Sequence, residues 1–246
     1  MKRFFILFLV FMLIPAMAFC SKTKVLEQDT ELHPQGWISG LIKFKQGTTV
    51  ELNDNGEVIS GVLKYNKYLR SLGCGISAKE GNLVAYPIIG SAAFPPGSVG
   101  FYSTGPYYVY GNIFNFKGSD SVTTFDERGY VISGTLADDT RIYLLPFAEP
   151  EVSFKGSTQV TFDKKGYLTS GTLKDDAFLH PVGWKNYLPL DNTAGFLKFK
   201  AGTQVTFGPD AQVLKGTIAT DLAVNGITYP EGTTLQFSES ALPQKN

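Results

Sequence analysis

Two stretches hold both histidines and both tryptophans of the chain: Leu32-His33-Pro34-Gln35-Gly36-Trp37 and Leu179-His180-Pro181-Val182-Gly183-Trp184. An imidazole that titrates near neutral pH beside a flat indole could flank a ligand or stack on a sugar. His33, His180, Trp37 and Trp184 are therefore candidate binding residues. The same residues would also serve a turn whose aromatic packs the end of a structural unit. Recurrence favours that second use, because catalysis seldom needs one residue twice in one fold. A further aromatic group comprises Phe101, Tyr102, Tyr107, Tyr108, Tyr110, Phe114 and Phe116. Here Tyr107, Tyr108 and Tyr110 are candidate contacts for a protein or a glycan. Alternating aromatics are equally what a β core uses.

Acidic residues recur at Asp138-Asp139, Asp175-Asp176 and Asp221. Gathered carboxylates can hold Ca²⁺, which takes six to eight oxygens. The spacing matches no calcium loop, and Asp starts turns without any metal. The two cysteines, Cys20 and Cys74, make no metal site without clustered histidines. In an oxidising compartment they could pair. No cofactor and no metal are expected. A nucleophile elbow, a zinc-binding helix motif and a phosphate-binding loop are all missing. The expectation is a protein without catalytic activity. The alternative is a glycan- or cell-wall-acting enzyme with its site in region 65–116, since paired carboxylates need only spatial proximity.

These residues are set in a repeat. Phe154–Leu173 reads FKGSTQVTFDKKGYLTSGTL, and near copies stand at Phe44–Leu63, Phe116–Leu136 and Phe199–Ile218. A degenerate copy starts at Phe94 and a half copy at Tyr229. In the Phe154 copy, Val160 and Phe162 alternate with Gln159 and Thr161, the period of a half-buried strand. Asp163-Lys164-Lys165-Gly166 then suits a type I turn closed by a left-handed residue. Asn53-Asp54-Asn55-Gly56 and Asp126-Glu127-Arg128-Gly129 match it. Gly208-Pro209-Asp210-Ala211 lacks the final glycine, so its turn type is expected to differ.

The return strand poses a puzzle. Its apolar positions Leu168 and Leu173 are an odd number of residues apart, with Gly171 between them. Either a bulge brings both inward, or the segment is two short strands. A second turn precedes each hairpin, as in Lys45-Gln46-Gly47-Thr48. Turn signals every eight to ten residues predict an all-β, antiparallel meander of repeated hairpins. It would be solenoid-like, or an open single-sheet or barrel-like stack.

The chain opens on Lys2-Arg3, an apolar run from Phe4 to Ile14, and Ala16-Met17-Ala18. That order predicts a secretory signal peptide over 1–18. Residues 19–31 are expected as a polar lead-in or tether, 32–237 as the repeat domain, with a less regular segment at 65–116, and 238–246 as a flexible tail. Lys+Arg 22 balances Asp+Glu 22, and no basic run follows the leader, which excludes the footprint of a nucleic-acid binder.

Two resemblances add expectations. Met17-Ala18-Phe19-Cys20 resembles the lipobox of bacterial lipoproteins, which implies a lipid anchor at Cys20 as the alternative to free secretion. The membrane would then be met only through that anchor, and Cys74 would be a lone thiol. The F-x-x-x-G-x-[VL]-x-x-G core resembles the hairpin repeats of bacterial MORN-variant proteins. That resemblance implies a hairpin stack with a scaffold or interaction role. Together these readings place the protein outside the cytoplasm, periplasmic, extracellular or anchored to the envelope, with a protein or glycan of the envelope as partner.

The turn assignment is testable. Gly166→Val is expected to destabilise the protein by about 1 kcal/mol or more, because a β-branched residue is forced to positive φ. An unchanged thermal midpoint would refute the turn.

Overall fold

The computed structural model describes residues 21–38, 40–71, 112–145, 148–186, 188, 195–239 and 243–245. Calls that fall on Cys20, Cys74, Tyr107, Tyr108, Tyr110 and the leader 1–18 lie outside these residues, as does most of segment 65–116.

The repeat becomes a four-strand unit. In chain order, β1 (Lys22–Val25) and β2 (Thr30–Leu32) precede β3 (Ile42–Phe44), β4 (Thr49–Leu52), β5 (Val58–Val62) and β6 (Lys67–Ser71). The second unit is β7 (Asn112–Phe116), β8 (Val122–Phe125), β9 (Val131–Thr135) and β10 (Thr140–Leu145). The third is β11 (Ala148–Phe154), β12 (Gln159–Phe162), β13 (Leu168–Thr172) and β14 (Ala177–Leu179). The fourth is β15 (Leu197–Phe199), β16 (Gln204–Phe207), β17 (Val213–Thr217) and β18 (Leu222–Val224). β19 (Ile227–Tyr229), β20 (Thr234–Gln236) and β21 (Gln244–Lys245) complete the order.

The middle strands of every unit join one 11-stranded sheet in the order β1-β4-β5-β8-β9-β12-β13-β16-β17-β20-β21. Every pairing in it is antiparallel, and the sheet does not close. The outer strands pair separately as five two-stranded ribbons: β2-β3, β6-β7, β10-β11, β14-β15 and β18-β19. Among the described residues the one helical turn is the 3-10 segment Trp184–Asn186. The expected meander of hairpins is the architecture found.

The ribbons bury one face of the sheet. Phe44, Phe116, Phe154 and Phe199 sit at the ends of ribbon strands and are completely buried. Each bridges an apolar residue just past a return strand: Leu63, Leu136, Leu173 and Ile218. Their rings reach onward to the next hairpin, with Phe154 and Phe207 centroids 6.3 Å apart and Phe199 and Phe237 5.9 Å apart. Phe114 stacks on Phe162 at 5.9 Å. Edge-to-face and offset pairs at these separations are favourable beyond their buried area.

The odd spacing in the return strand resolves as a bulge. Thr161 pairs Ser170 while Phe162 pairs Leu168, so Thr169 and Ser170 together oppose one residue. The same shift occurs in every copy, at Glu51/Leu52, Thr124/Phe125 and Thr206/Phe207. It rotates Leu168 onto the face already occupied by Gly171 and Leu173. Gly171 itself is outside the bulge. A Cβ there would stand 2.6 Å from Phe154 Cδ1, and Gly61, Gly134 and Gly216 lie equally close under Phe44, Phe116 and Phe199. The glycine is the seat of the phenylalanine ring.

Three expectations are corrected. Residues 22–31, within the expected lead-in 19–31, are not a loose tether: β1 is the edge strand of the sheet and Leu26 is 1% exposed. Leu26…Asp29…Leu32-His33-Pro34 in fact repeats Leu173…Asp176…Leu179-His180-Pro181, so β1 is a return strand whose polar lysines suit an unpaired sheet edge. The tail is not wholly free, since β21 pairs with β20. The turn at Gly208–Ala211 is also not of a different type. Gly208 N–H donates to Gln212 O and Ala211 N–H to Gly208 O, as in the Asn53–Glu57 turn. Ala211 takes φ +57° where Gly56, Gly129 and Gly166 take +79°, +83° and +85°. The hairpin geometry imposed by the stack overrides the alanine's preference.

That last turn is the least suited to its conformation. Asn53, Asp126 and Asp163 each accept two backbone N–H bonds within their own turns, a cap that Gly208 cannot supply. A Cβ at Gly208 would meet nothing nearer than 3.6 Å. Ala211→Gly with Gly208→Asp is expected to stabilise the protein by about 1 kcal/mol or more, combining relief of left-handed strain with a new cap. A denaturant midpoint at or below the parent value would refute this account.

Candidate functional site

Each candidate from the sequence sits at a definite place in the repeat. The two His-Pro-x-Gly-Trp stretches lie in the connections between the paired strands of a ribbon, β2 to β3 and β14 to β15. Pro34 forms a parallel bridge with Val58, and Pro181 with Val213. Val58 N–H donates to His33 O and Gln35 N–H to Val58 O, and the second copy repeats this at Val213, His180 and Val182. The link therefore covers the free edge of the return strand beyond its bulge. It also touches the following hairpin: Gln35 Nε2 donates to Phe125 O at 2.6 Å, and Gly36 lies against the backbone of Glu127 and Arg128. Gly183 lies likewise against Ser238. Pro suits this position because no ladder bond is asked of its nitrogen.

The side chains of the motif follow the backbone. Trp37 and Trp184 are half-buried and pack against the core. His180 stacks on Phe196 at 3.9 Å, lies 5.6 Å from Trp184, and its Nδ1 is 2.9 Å from Gly195 O. His33 Nδ1 is buried without a hydrogen-bond partner, 3.7 Å from Glu57 Oε1. The two histidines occupy equivalent places in different units.

The recurrent acids have a mechanical role. Asp29, Asp139, Asp176 and Asp221 each accept the N–H of the second residue in a corner turn: Gln46, Gly156, Ala201 and Glu231, at 2.7–2.8 Å. Asn66 does the same for Gly118. Lysines complete three of these clamps, as Lys64–Asp29 at 2.8 Å, Lys174–Asp139 at 3.1 Å and Lys198–Asp176 at 2.9 Å. The Lys64 bond and the Gln46 N–H hold Asp29 below the ordinary carboxylate range. For Asp139 and Asp176 the backbone N–H is the larger cause and the lysine the second. Lys64 is correspondingly raised by Asp29. Among the described residues no three His, Cys, Asp or Glu side chains gather as a metal site.

A feature the sequence reading passed over lies on the outer face of the sheet. The register chains one residue from each strand into a continuous row: Thr23–Glu51–Ser60–Thr124–Ser133–Thr161–Ser170–Thr206–Lys215–Gln236–Gln244. Its central six residues alternate Ser and Thr, and the charged Glu51 and Lys215 flank them. Each of the six is half-covered by its neighbours and faces away from the ribbons. Thr161 Oγ1 lies 2.7 Å from Thr169 Oγ1 and 2.8 Å from Ser170 Oγ, and Gln159 Nε2 donates to Ser133 Oγ at 2.8 Å. The signal was legible in the polar alternates of Q-V-T-F and in the Ser before Gly61, Gly134 and Gly171. Only the register shows that they align.

Comparison with protein-family models, with curated proteins and with solved structures returns no match. The site is therefore defined by geometry alone.

The clamps carry a pH dependence. A carboxylate with a depressed folded pKa contributes stability above its unfolded value, near 3.9, and loses it as pH falls through the folded pKa. Stability is thus expected to decline below about pH 4. The triple variant Asp29→Asn, Asp139→Asn, Asp176→Asn keeps an acceptor at each corner, as Asn66 does, and should flatten that decline. An equally steep acid limb in denaturant titrations would remove the clamps as its source.

Proposed function

We propose that this chain is an exported, non-catalytic binding protein of a bacterial envelope, a hairpin-repeat scaffold that presents the outer face of its long sheet to a partner. The observation that carries the reading is the unbroken outward row across all eleven strands. The inner face is consumed by the ribbons, and the corners are consumed by their clamps. The outer face is the broad regular surface left for contact. Export rests on Lys2-Arg3, the apolar run to Ile14, and Ala16-Met17-Ala18. An anchor at Cys20 or free release are its two forms. The scaffold role agrees with the likeness to MORN-variant repeats.

The test is expression of the full chain with its own leader in a bacterial host, followed by fractionation and intact mass. The mature protein is expected outside the cytoplasm, beginning at Phe19 or at an acylated Cys20. Thr124→Lys, Thr161→Lys and Thr206→Lys together should reduce its retention by the envelope without lowering the thermal midpoint. Cytoplasmic retention with an intact leader, or equal retention of the variant, would overturn the reading.

A further inference from the structure

We infer that the partner of the outer face is a neutral, β-linked polysaccharide that lies across the strands along the Ser/Thr row. The inference rests on the binding role proposed above and names its substrate class. The argument starts from what the row offers. Ser60, Thr124, Ser133, Thr161, Ser170 and Thr206 are consecutive partners in the register. Strands in a sheet are spaced about 4.8 Å apart, so a hydroxyl recurs at that interval and the Ser-Thr pair at about 10 Å. A hydroxyl carries one donor and two acceptor sites. The contacts within the row, such as Thr161 with Ser170, therefore leave capacity for an outside partner.

Charge narrows the partner. Within the row the charged residues, Glu51 and Lys215, stand outside the central six, and at the corners Lys64, Lys174 and Lys198 are committed to Asp29, Asp139 and Asp176. The six central positions are uncharged. A polyphosphate or polyuronate would find no counter-charge there. A peptide strand would find no free backbone groups, because those of a central sheet are spent in its ladder. What remains complementary is an uncharged chain with many hydroxyls and some apolar surface.

Shape and apolar content narrow it further. The bulge turns a second residue outward beside each return-strand member of the row. At two hydroxyls that residue is aliphatic, Ile59 by Ser60 and Ile132 by Ser133, while Thr169 stands by Ser170 and Leu214 by Lys215. Leu214 is 36% exposed. At Ser60 and Ser133 a hydroxyl thus lies beside an apolar surface, a pairing that the equatorial hydroxyls and C–H faces of β-linked sugars also present. Such a chain also repeats every two residues, as the row repeats every two strands. Neighbouring strands rotate by roughly 20–25°. A flexible polymer can follow that winding row, whereas a rigid planar lattice meets only part of it.

The experiment is affinity electrophoresis of the full chain in gels containing hydroxyethylcellulose, with heparin gels as the charged comparison and a pull-down on chitin as the insoluble one. Retardation by hydroxyethylcellulose or capture by chitin is expected, with none by heparin. The variant Thr124→Val, Ser133→Ala, Thr161→Val, Ser170→Ala removes the hydroxyls with little change of shape. It should weaken neutral-glycan binding at least tenfold while its thermal midpoint is held. Lys155→Ala, at a corner, should bind as the parent does. Equal binding by the hydroxyl variant, or retardation by heparin alone, would overturn the inference. So would no binding to either neutral glycan. If envelope retention still responds to the lysine variant while neutral glycans fail, the binding role stands and only the glycan is wrong.

Discussion

The structure depends on a ring seated on a glycine. In each unit a ribbon phenylalanine covers the inner glycine of the return strand so closely that one methyl group would collide with it. The ring fixes the distance between ribbon and sheet. Full burial of such a side chain contributes roughly 1.5–3 kcal/mol. Four such seats at Phe44, Phe116, Phe154 and Phe199 give the stack a uniform thickness. The bulge is the second half of the device. Without it Leu168 would face solvent, and the side chains before and after Gly171 could not share one core.

The seats also make the fold cooperative along its length. Phe154 touches Phe207 and Phe199 touches Phe237, so each ribbon packs on its own hairpin and on the following one. The His-Pro-x-Gly-Trp links act in the same direction, joining Val58 to the Phe125–Arg128 region and Val213 to Ser238. A unit therefore buries its surface only in company, which is the usual condition of repeat proteins. Trp37, Trp184 and His180 take part in this packing.

Charge is partitioned in the same architecture. The turn between ribbon and sheet leaves one N–H per corner unpaired by the ladders, and a carboxylate or amide takes it. Lysines then gather around the carboxylates. The outer face, remote from the corners, needs no charge for its own stability. Its central row is left to hydroxyls whose only constraint is the pleat. That freedom makes the row informative, because an ordered alternation of Ser and Thr there is not demanded by the core.

The sequence alone determined the unit. Its period, its Asx-led turns, its apolar alternation and the odd step from Leu168 to Leu173 are each legible locally, and that step left a bulge or two short strands for the register to decide. Local rules failed where a residue's conformation is imposed by distant neighbours. Ala211 accepts a left-handed backbone because the stack holds its hairpin in the same form as the others. Lys22–Val25 reads as a tether because an edge strand with one partner keeps polar side chains, although Leu26 and Asp29 already carried the repeat. Only the tertiary structure decided that the middle strands form one sheet while the outer strands pair off as ribbons. It also decided that scattered serines and threonines become one row. Register is a long-range property, set by which strands meet, and no single repeat contains that information.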